Sequence, residues 1–270
     1  MDDLPLRIAV FALVGLGTGY VSGLFGMGGG IIRIPVFLYM LALFGVAHPV
    51  LMHASIGTSL SLVIPISSEA TWTQYKAGNL DVAYYRTWAF GIFLGVVCGM
   101  AILPFCSTEA LKIIFIVFLI SVGAYFTFVR DDIVVAHRPP TGLLKIAIAA
   151  VIGLGAALTG TAGSTFTTPA MKAFEMPLHK AIALASATGV VTGLVATAGA
   201  IIEGWNVAGR PSHSLGFVDL AIFASMAPTS LAGAALGVRT ANRLSQQVLK
   251  LGYTIVVFAM AADMIRGMVF

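Results

Sequence analysis

Ten apolar runs, each bounded by glycine, proline or charge, follow one another along the chain. They fall at roughly 6–25, 31–46, 50–68, 82–103 and 110–129, then 143–159, 164–175, 180–202, 217–237 and 247–266. A helical membrane span needs roughly 20 predominantly apolar residues, so the pattern predicts a bundle of membrane helices. Several runs fall short of that length, 164–175 most clearly. A polar stretch, Arg130–Thr141, separates the fifth run from the sixth.

Composition removes the soluble alternatives. Hydrophobic residues make up 59% of the 270 and charged residues 10%, with a mean hydropathy of +0.98. A soluble chain carries about 25% charge and about 45–50% apolar residues. Disordered, collagen-like and disulfide-rich classes fit no better, given 11 prolines and two cysteines. No GxxxxGK[ST] phosphate loop occurs and no loop is long enough for a nucleotide-binding domain, which argues against ATP-driven pumping by this chain. The net charge of +4 is scattered singly around apolar runs, a membrane-topology pattern and not a nucleic-acid footprint. Cys98 and Cys106 show no CxxC spacing and are expected to be inert packing residues. The acidic start and the lack of a small-residue cleavage site suggest that the first run is a retained span, not a signal peptide.

With ten crossings, one side collects Lys76, Arg86, Arg130, Arg138, Lys145, Lys172, Lys180, Arg239, Arg243 and Lys250. The other side collects Arg7, Lys112, Arg210 and Arg266. Excess Lys and Arg marks the cytoplasm, which puts both termini outside the bacterial cytoplasmic membrane. A hairpin that dips in and returns leaves that parity intact.

The chain is also written twice. Gly26 to Pro35 has the same spacing as Gly160 to Pro169, and His48 to Ser55 matches His179 to Ser186. Gly78-x-x-Asp81 answers Gly216-x-x-Asp219, Gly95-x-x-x-Gly99 answers Gly233-x-x-x-Gly237, and Leu111-Lys112 answers Leu249-Lys250. The expected organisation is a first repeat over 1–130, a cytoplasmic linker over 131–142 and a second repeat over 143–270. Five segments per repeat is an odd number, so the second copy enters the membrane upside down. The fold class expected is therefore all-α: a polytopic membrane helical bundle of two inverted five-segment repeats with broken or re-entrant helices. Inverted repeats are typical of secondary transporters, with sites at the midplane where the repeats meet.

Gly26-Met27-Gly28-Gly29-Gly30 cannot continue a helix cheaply, each glycine costing about 1 kcal/mol relative to alanine. In hydrocarbon such a break persists only inside protein or beside a wet cavity. The second copy places Thr159–Thr168 at the same point, with Thr161, Gly163, Ser164 and Thr165. A helix restarting after a break offers N–H groups and a positive dipole end to an anion. Two breaks from opposite sides make a candidate anion site around a pseudo-two-fold axis; a plain tight turn for close helix packing is the alternative.

The glycine-rich G-x-G-G-G-x-x-x-x-P stretch, its degenerate second copy and Ala-Ser-x-Gly-Thr-Ser at Ala54–Ser59 resemble the TauE/SafE family. It is also called the sulfite exporter or toluene-sulfonate uptake permease family. The resemblance covers about residues 10–267 and implies transport of small sulfur-containing or carboxylated anions such as sulfite, sulfonates or sulfoacetate. The second half departs from the motif, with Ser164 where Gly30 stands and Thr188-Gly189 in place of Gly57-Thr58, which argues against a strictly symmetric site.

The substrate-binding candidates are Gly28, Gly29, Gly30, Arg33, Ser55, Thr58, Ser59, Thr161, Gly163, Ser164, Thr165, Ser186 and Thr188. Hydroxyls suit sulfonate oxygens, but Ser and Thr also join membrane helices to one another. Arg33 fits a forked contact to a sulfonate or carboxylate. Its counterpart Thr167 favours instead a bend that lets Arg33 snorkel to the cytoplasmic face, and Lys172 reads the same way. Glu69 and Glu203, beside Trp72 and Trp205, read as solvated interfacial carboxylates, with proton coupling the alternative. His48, His53 and His179 flank short loops and suit helix starts or interfaces; without HExxH or a His/Cys cluster no metal is expected, and no cofactor. The two GxxxG pairs read as scaffold, with a dimer seam as runner-up.

The sequence thus points to a secondary transporter for a small anion, working by alternating access. Its partners are that anion, membrane lipid and a coupling ion, proton or sodium; monomer and dimer stay open. An anion channel of similar architecture is the alternative. An intramembrane enzyme built on His53 and Ser55 fits poorly, because residues two apart on a helix do not face each other and GxSxG is missing.

Overall fold

The computed structural model describes residues 4–25, 29–128, 135–211, 213–241 and 243–269. Each of the ten apolar runs forms a helix: α1 (Leu4–Phe25), α2 (Gly30–Leu43), α3 (His48–Lys76), α4 (Val82–Ile102), α5 (Thr108–Phe128), α6 (Gly142–Thr159), α7 (Ser164–Ala173), α8 (Leu178–Glu203), α9 (Leu220–Ala241) and α10 (Gln246–Val269). Among the described residues, the regular structure that is not α-helical is one 3₁₀ turn, Leu103–Phe105, and two paired two-residue strands before α9. Of those strands, β1 (Ser214–Leu215) lies just before the ninth apolar run and β2 (Val218–Asp219) occupies its start. Gly216 sits between them at a φ of 60°, the left-handed region that glycine adopts without penalty.

Among the described residues, eight helices are long and apolar enough to cross a membrane. The other two, α2 with 14 residues and α7 with 10, follow the two sequence breaks. At 1.5 Å per residue they reach about 21 Å and about 15 Å, short of the roughly 30 Å hydrocarbon core. The described bundle therefore holds eight candidate spans and two short helices packed within it.

Helix α3 is the centre. Its apolar window is 83% buried, against 22% for α10, and α8 lies against it. Gly57 meets Ala200, Gly193 meets Ile64 and Gly189 meets Ser67, so the contacting positions descend along α8 as they ascend along α3 and the two helices run antiparallel. Helix α1 packs along α9, and α4 along α6. In both pairs the contact positions climb together: Gly19 meets Ser230 and Gly23 meets Ala234, as Gly95 meets Ala150 and Gly99 meets Ala157. A Cβ on Gly95 or Gly233 would run into the backbone carbonyl of Ala150 or Leu16 respectively. The GxxxG pairs thus face partners inside the chain, as scaffold.

The paired Gly-x-x-Asp motifs have one structural meaning. Gly78 and Gly216 both take a positive φ. Asp81 accepts the Tyr84 N–H at 3.0 Å, and Asp219 accepts those of Ala221 and Ile222 at 3.0 Å, each carboxylate capping the start of a long helix. The cysteines divide: Cys106, half-buried just past the 3₁₀ turn, packs against the core as expected, whereas Cys98 is exposed on α4, which corrects the expectation there.

Candidate functional site

The second break is a four-residue crossing from α6 to α7. Gly160 closes α6 at a φ of 64° and Gly163 opens α7 at a φ of 68°. The Thr161 N–H reaches back to the Ala156 carbonyl at 3.1 Å, the hydrogen-bonded end that a left-handed glycine permits. Thr159 and Thr161 face each other with hydroxyls 3.0 Å apart, and Thr159 also donates to Gly155 at 2.7 Å. These side chains hold a helix end that lipid could not solvate.

The first break reaches this one directly. Gly30, at the start of α2, lies so close that a Cβ on it would stand 2.8 Å from the Gly160 carbonyl oxygen and 3.0 Å from the Thr161 Cα. Ser59 of α3 donates to the same carbonyl at 2.9 Å. Gly160 in turn abuts Ile34 of α2 and Ile56 of α3. One carbonyl therefore gathers the start of α2, the middle of α3 and the second break. Gly28 lies outside the described residues.

Arg33 sits at the fourth position of α2 and is 1% exposed. It does not snorkel, which overturns the expectation drawn from its counterpart Thr167. That threonine is equally buried and donates to Gly163 at 2.9 Å, so a neutral hydroxyl and a cation occupy matching places. Nε and Nη1 of Arg33 have no hydrogen-bond partner among the described residues. Around Gly29, one turn before it, stand Arg33 Nε, Ser22 and the Thr18 carbonyl, each 3.4 Å from where a Cβ would be. A buried charge without a partner is costly, so this guanidinium is the strongest polar anomaly of the site.

The other hydroxyls divide clearly. Thr188 accepts the indole N–H of Trp88 at 2.8 Å while donating to Leu184 at 2.9 Å. Its methyl, with the hydroxyl of Thr192, borders Gly163. Ser164 and Thr165 open α7, the first half-buried and the second 1% exposed. Ser55 donates to Leu51 at 2.8 Å, and Ser186 to Ile182 at 3.0 Å, so both bond to their own helices. Thr58 accepts the Asp219 N–H at 3.0 Å and reaches the Phe217 carbonyl at 3.4 Å. It ties the β1–β2 hairpin to α3.

The candidates thus form three groups. Gly30, Ser59 and Thr161 converge on Gly160; Gly163 and Thr188 meet at the entrance to α7; Gly29 and Arg33 share a face beside α1. Ser55, Thr58 and Ser186 are bonded elsewhere. Sequence reasoning missed Thr192, fully buried with its hydroxyl unpartnered among the described residues, although it follows Thr188 by one helical turn. It also missed Trp88, which no motif marks.

Two further expectations change. Glu203 is not a freely solvated carboxylate: its Oε2 is buried and unpartnered among the described residues, whereas Glu69 is exposed. His53 does not flank a loop but lies in the second turn of α3, buried, with Nε2 3.1 Å from the Leu103 carbonyl. His48 starts α3 and pairs with Glu109 at 3.4 Å. No group of three or more His, Cys, Asp or Glu able to hold a metal occurs among the described residues.

A family model described as sulfite exporter TauE/SafE matches residues 11–264, and the chain belongs to that family. It is 26% identical over 259 residues to a probable membrane transporter protein of Haemophilus influenzae, covering 95% of this chain and 97% of the relative. A probable membrane transporter protein of Methanocaldococcus jannaschii is 23% identical over 92% of each chain. Another from Bacillus subtilis is 26% identical over 70% of this chain and 79% of its own. No solved structure matches the chain.

Proposed function

We propose that this member of the sulfite exporter family is a secondary transporter that carries a small sulfur-containing anion, of the sulfite, sulfonate or sulfoacetate type, by alternating access. The site lies where the two breaks meet, lined by Gly29, Gly30, Ser59, Thr161 and Gly163, with Arg33 as its cation. The observation that carries this reading is the Arg33 guanidinium, buried beside Gly29 with two nitrogens unpartnered among the described residues. A forked donor in a dry site suits a tetrahedral or planar oxyanion, and helix starts at Gly30 and Ser164 add N–H groups of the same polarity.

The inverted repeat supports alternating access. Exchanging α1 with α6, α3 with α8 and α4 with α9 turns the α1–α9 contact into the α4–α6 contact and returns α3–α8 to itself. Equivalent helices that pack antiparallel, as α3 and α8 do, are what an inverted pair requires. Both termini then lie outside the cytoplasmic membrane and the 131–142 segment inside. Proton or sodium coupling belongs to the same reading.

The test is uptake and exchange in liposomes containing purified protein, with sulfite, sulfonates and sulfoacetate as substrates. Saturable exchange that Arg33→Gln removes is the expected result. Non-saturating current without exchange replaces the carrier by an anion channel. Full transport by Arg33→Gln sinks the site assignment.

A further inference from the structure

A cavity of about 150 Å³ opens beside the start of α4, lined by Asn79, Leu80, Asp81, Tyr84, Pro139, Met176, Pro177, Lys180 and Leu184. A water takes up about 30 Å³ of the liquid, so several waters or one small oxyanion fit. Tyr84 lines it and leads inward. Its ring stacks on Trp88, with centroids 6.4 Å apart and planes 23° apart. Trp88 is fully buried and donates to Thr188 at 2.8 Å, and the Thr188 methyl borders Gly163 at the start of α7. Tyr84, Trp88 and Thr188 thus form a continuous line of contacts from this cavity to the second break.

The charges around it favour an anion. Lys180 lines the wall, and Lys145, nearly buried, holds its ammonium 4.2 Å from the Tyr84 ring centroid and 3.4 Å from the Tyr84 carbonyl. The one carboxylate in the lining, Asp81, is engaged as the cap of α4.

The matching place in the other half is filled. The repeat register equating Asp81 with Asp219 and His48 with His179 also equates Asn79 with Phe217 and Leu184 with His53. Phe217 is 3% exposed and packs on the His53 ring at 5.4 Å, with its carbonyl against Gly57 and its N–H on the Ala200 carbonyl at 3.0 Å. Asn79 instead turns to Gln74, donating at 2.8 Å, and leaves its place open. The two halves are closed unequally: a hairpin plug on one side, an open cavity walled by Tyr84 on the other.

We infer that this cavity is the vestibule by which the transported oxyanion reaches the second break, with Lys180 as its first cationic contact and the Tyr84–Trp88 stack as the barrier. This rests on the transporter reading, and it places the open side at the lysine-rich face.

The chain has three tryptophans, so Trp72→Phe with Trp205→Phe leaves Trp88 as sole reporter in the full-length protein. In that background Trp88 emission is expected to be blue and poorly quenched by iodide or acrylamide. Adding Tyr84→Ala is expected to shift emission to the red and raise quenching by both at least threefold. Adding Lys180→Gln then lowers iodide quenching at least twofold and leaves acrylamide unchanged. Unchanged quenching in folded Tyr84→Ala overturns the barrier, and equal loss for both quenchers overturns the anion assignment.

Should Tyr84→Ala fail to fold, Asn79→Cys with Cys98→Ser and Cys106→Ser serves. A sulfonate-bearing thiol reagent is expected to outpace a cationic one there, and Lys180→Gln is expected to reverse the order. The same order with and without Lys180 overturns the vestibule. None of these readouts requires transport, so a failure here leaves the liposome result standing, and the reverse.

Discussion

Gly30 stands against the carbonyl of Gly160, where a Cβ would lie 2.8 Å from the oxygen, with Thr161 Cα at 3.0 Å. Because both obstacles are backbone, neither side can yield by a rotamer change. The two breaks, one from each half of the chain, therefore touch backbone to backbone.

Gly30→Ala is therefore expected to lower stability by about 1–3 kcal/mol, the usual range for overpacking, and to abolish anion binding. Gly29→Ala is the matched control, since its Cβ meets nothing nearer than 3.4 Å and its φ of −62° suits any residue. Thermal unfolding in detergent separates the two. Equal midpoints for both variants would refute the contact.

Arg33→Met is expected to raise the unfolding temperature of the ligand-free protein, because a buried unpaired cation is replaced by an apolar side chain. The same change is expected to remove anion-induced stabilisation. Hydrogen bonds to a charged group are worth about 1.5–3 kcal/mol, so a loss of affinity of about tenfold or more is the scale to look for. A thermal-shift series with and without sulfite or sulfoacetate reads both effects. Arg33→Lys keeps charge and loses the fork, and its affinity should fall between the two.

Thr58→Val keeps shape and removes the acceptor for the Asp219 N–H. A loss of about 1–3 kcal/mol follows from leaving that buried donor unpaired, with faster hydrogen exchange at Asp219 and its neighbours. If Thr58 instead serves the anion, affinity falls while exchange in the β1–β2 hairpin stays unchanged.

Gly95→Val drives a side chain into the Ala150 carbonyl and is expected to part α4 from α6, with loss of folded protein on size exclusion. Gly17 of α1 has nothing within 4 Å of a Cβ. Gly17→Ala is expected to be neutral or to stabilise by about 0.5–1 kcal/mol through helix propensity. Comparable loss in both would remove the close-packing argument.

Much of this was legible in the chain. The ten runs each became a helix, because a span's length and apolarity are set by local composition alone. The breaks were legible for the same local reason: consecutive glycines, or Gly-Thr-Ala-Gly, disfavour helix wherever they stand. The duplicated Gly-x-x-Asp motifs paired Asp81 with Asp219, and the structure gives that pairing its meaning as two helix caps.

The direction in which each side chain faces was not legible. Arg33 beside Thr167 suggested a snorkelling cation, and burial reverses that. Thr58, Ser59 and Ser55 share five residues of one helix, yet one binds the hairpin, one the second break and one its own backbone. A helix turns 100° per residue, so neighbours meet different partners, and those partners come from residues more than a hundred positions away. The pairing of Trp88 with Thr188 has the same origin, since nothing local to either predicts it.

By itself, then, the sequence determined the membrane class, the number of helical segments, the places where helices break and the family. These follow from backbone propensity and from the cost of polar groups in lipid, both read residue by residue. The tertiary structure alone decided that the breaks touch at Gly30 and Gly160, that Arg33 is enclosed, and that one half is plugged by Phe217 while the other stays open at Asn79. Those outcomes depend on how close-packed helices divide the interior among distant residues, and no local stretch of chain carries that information.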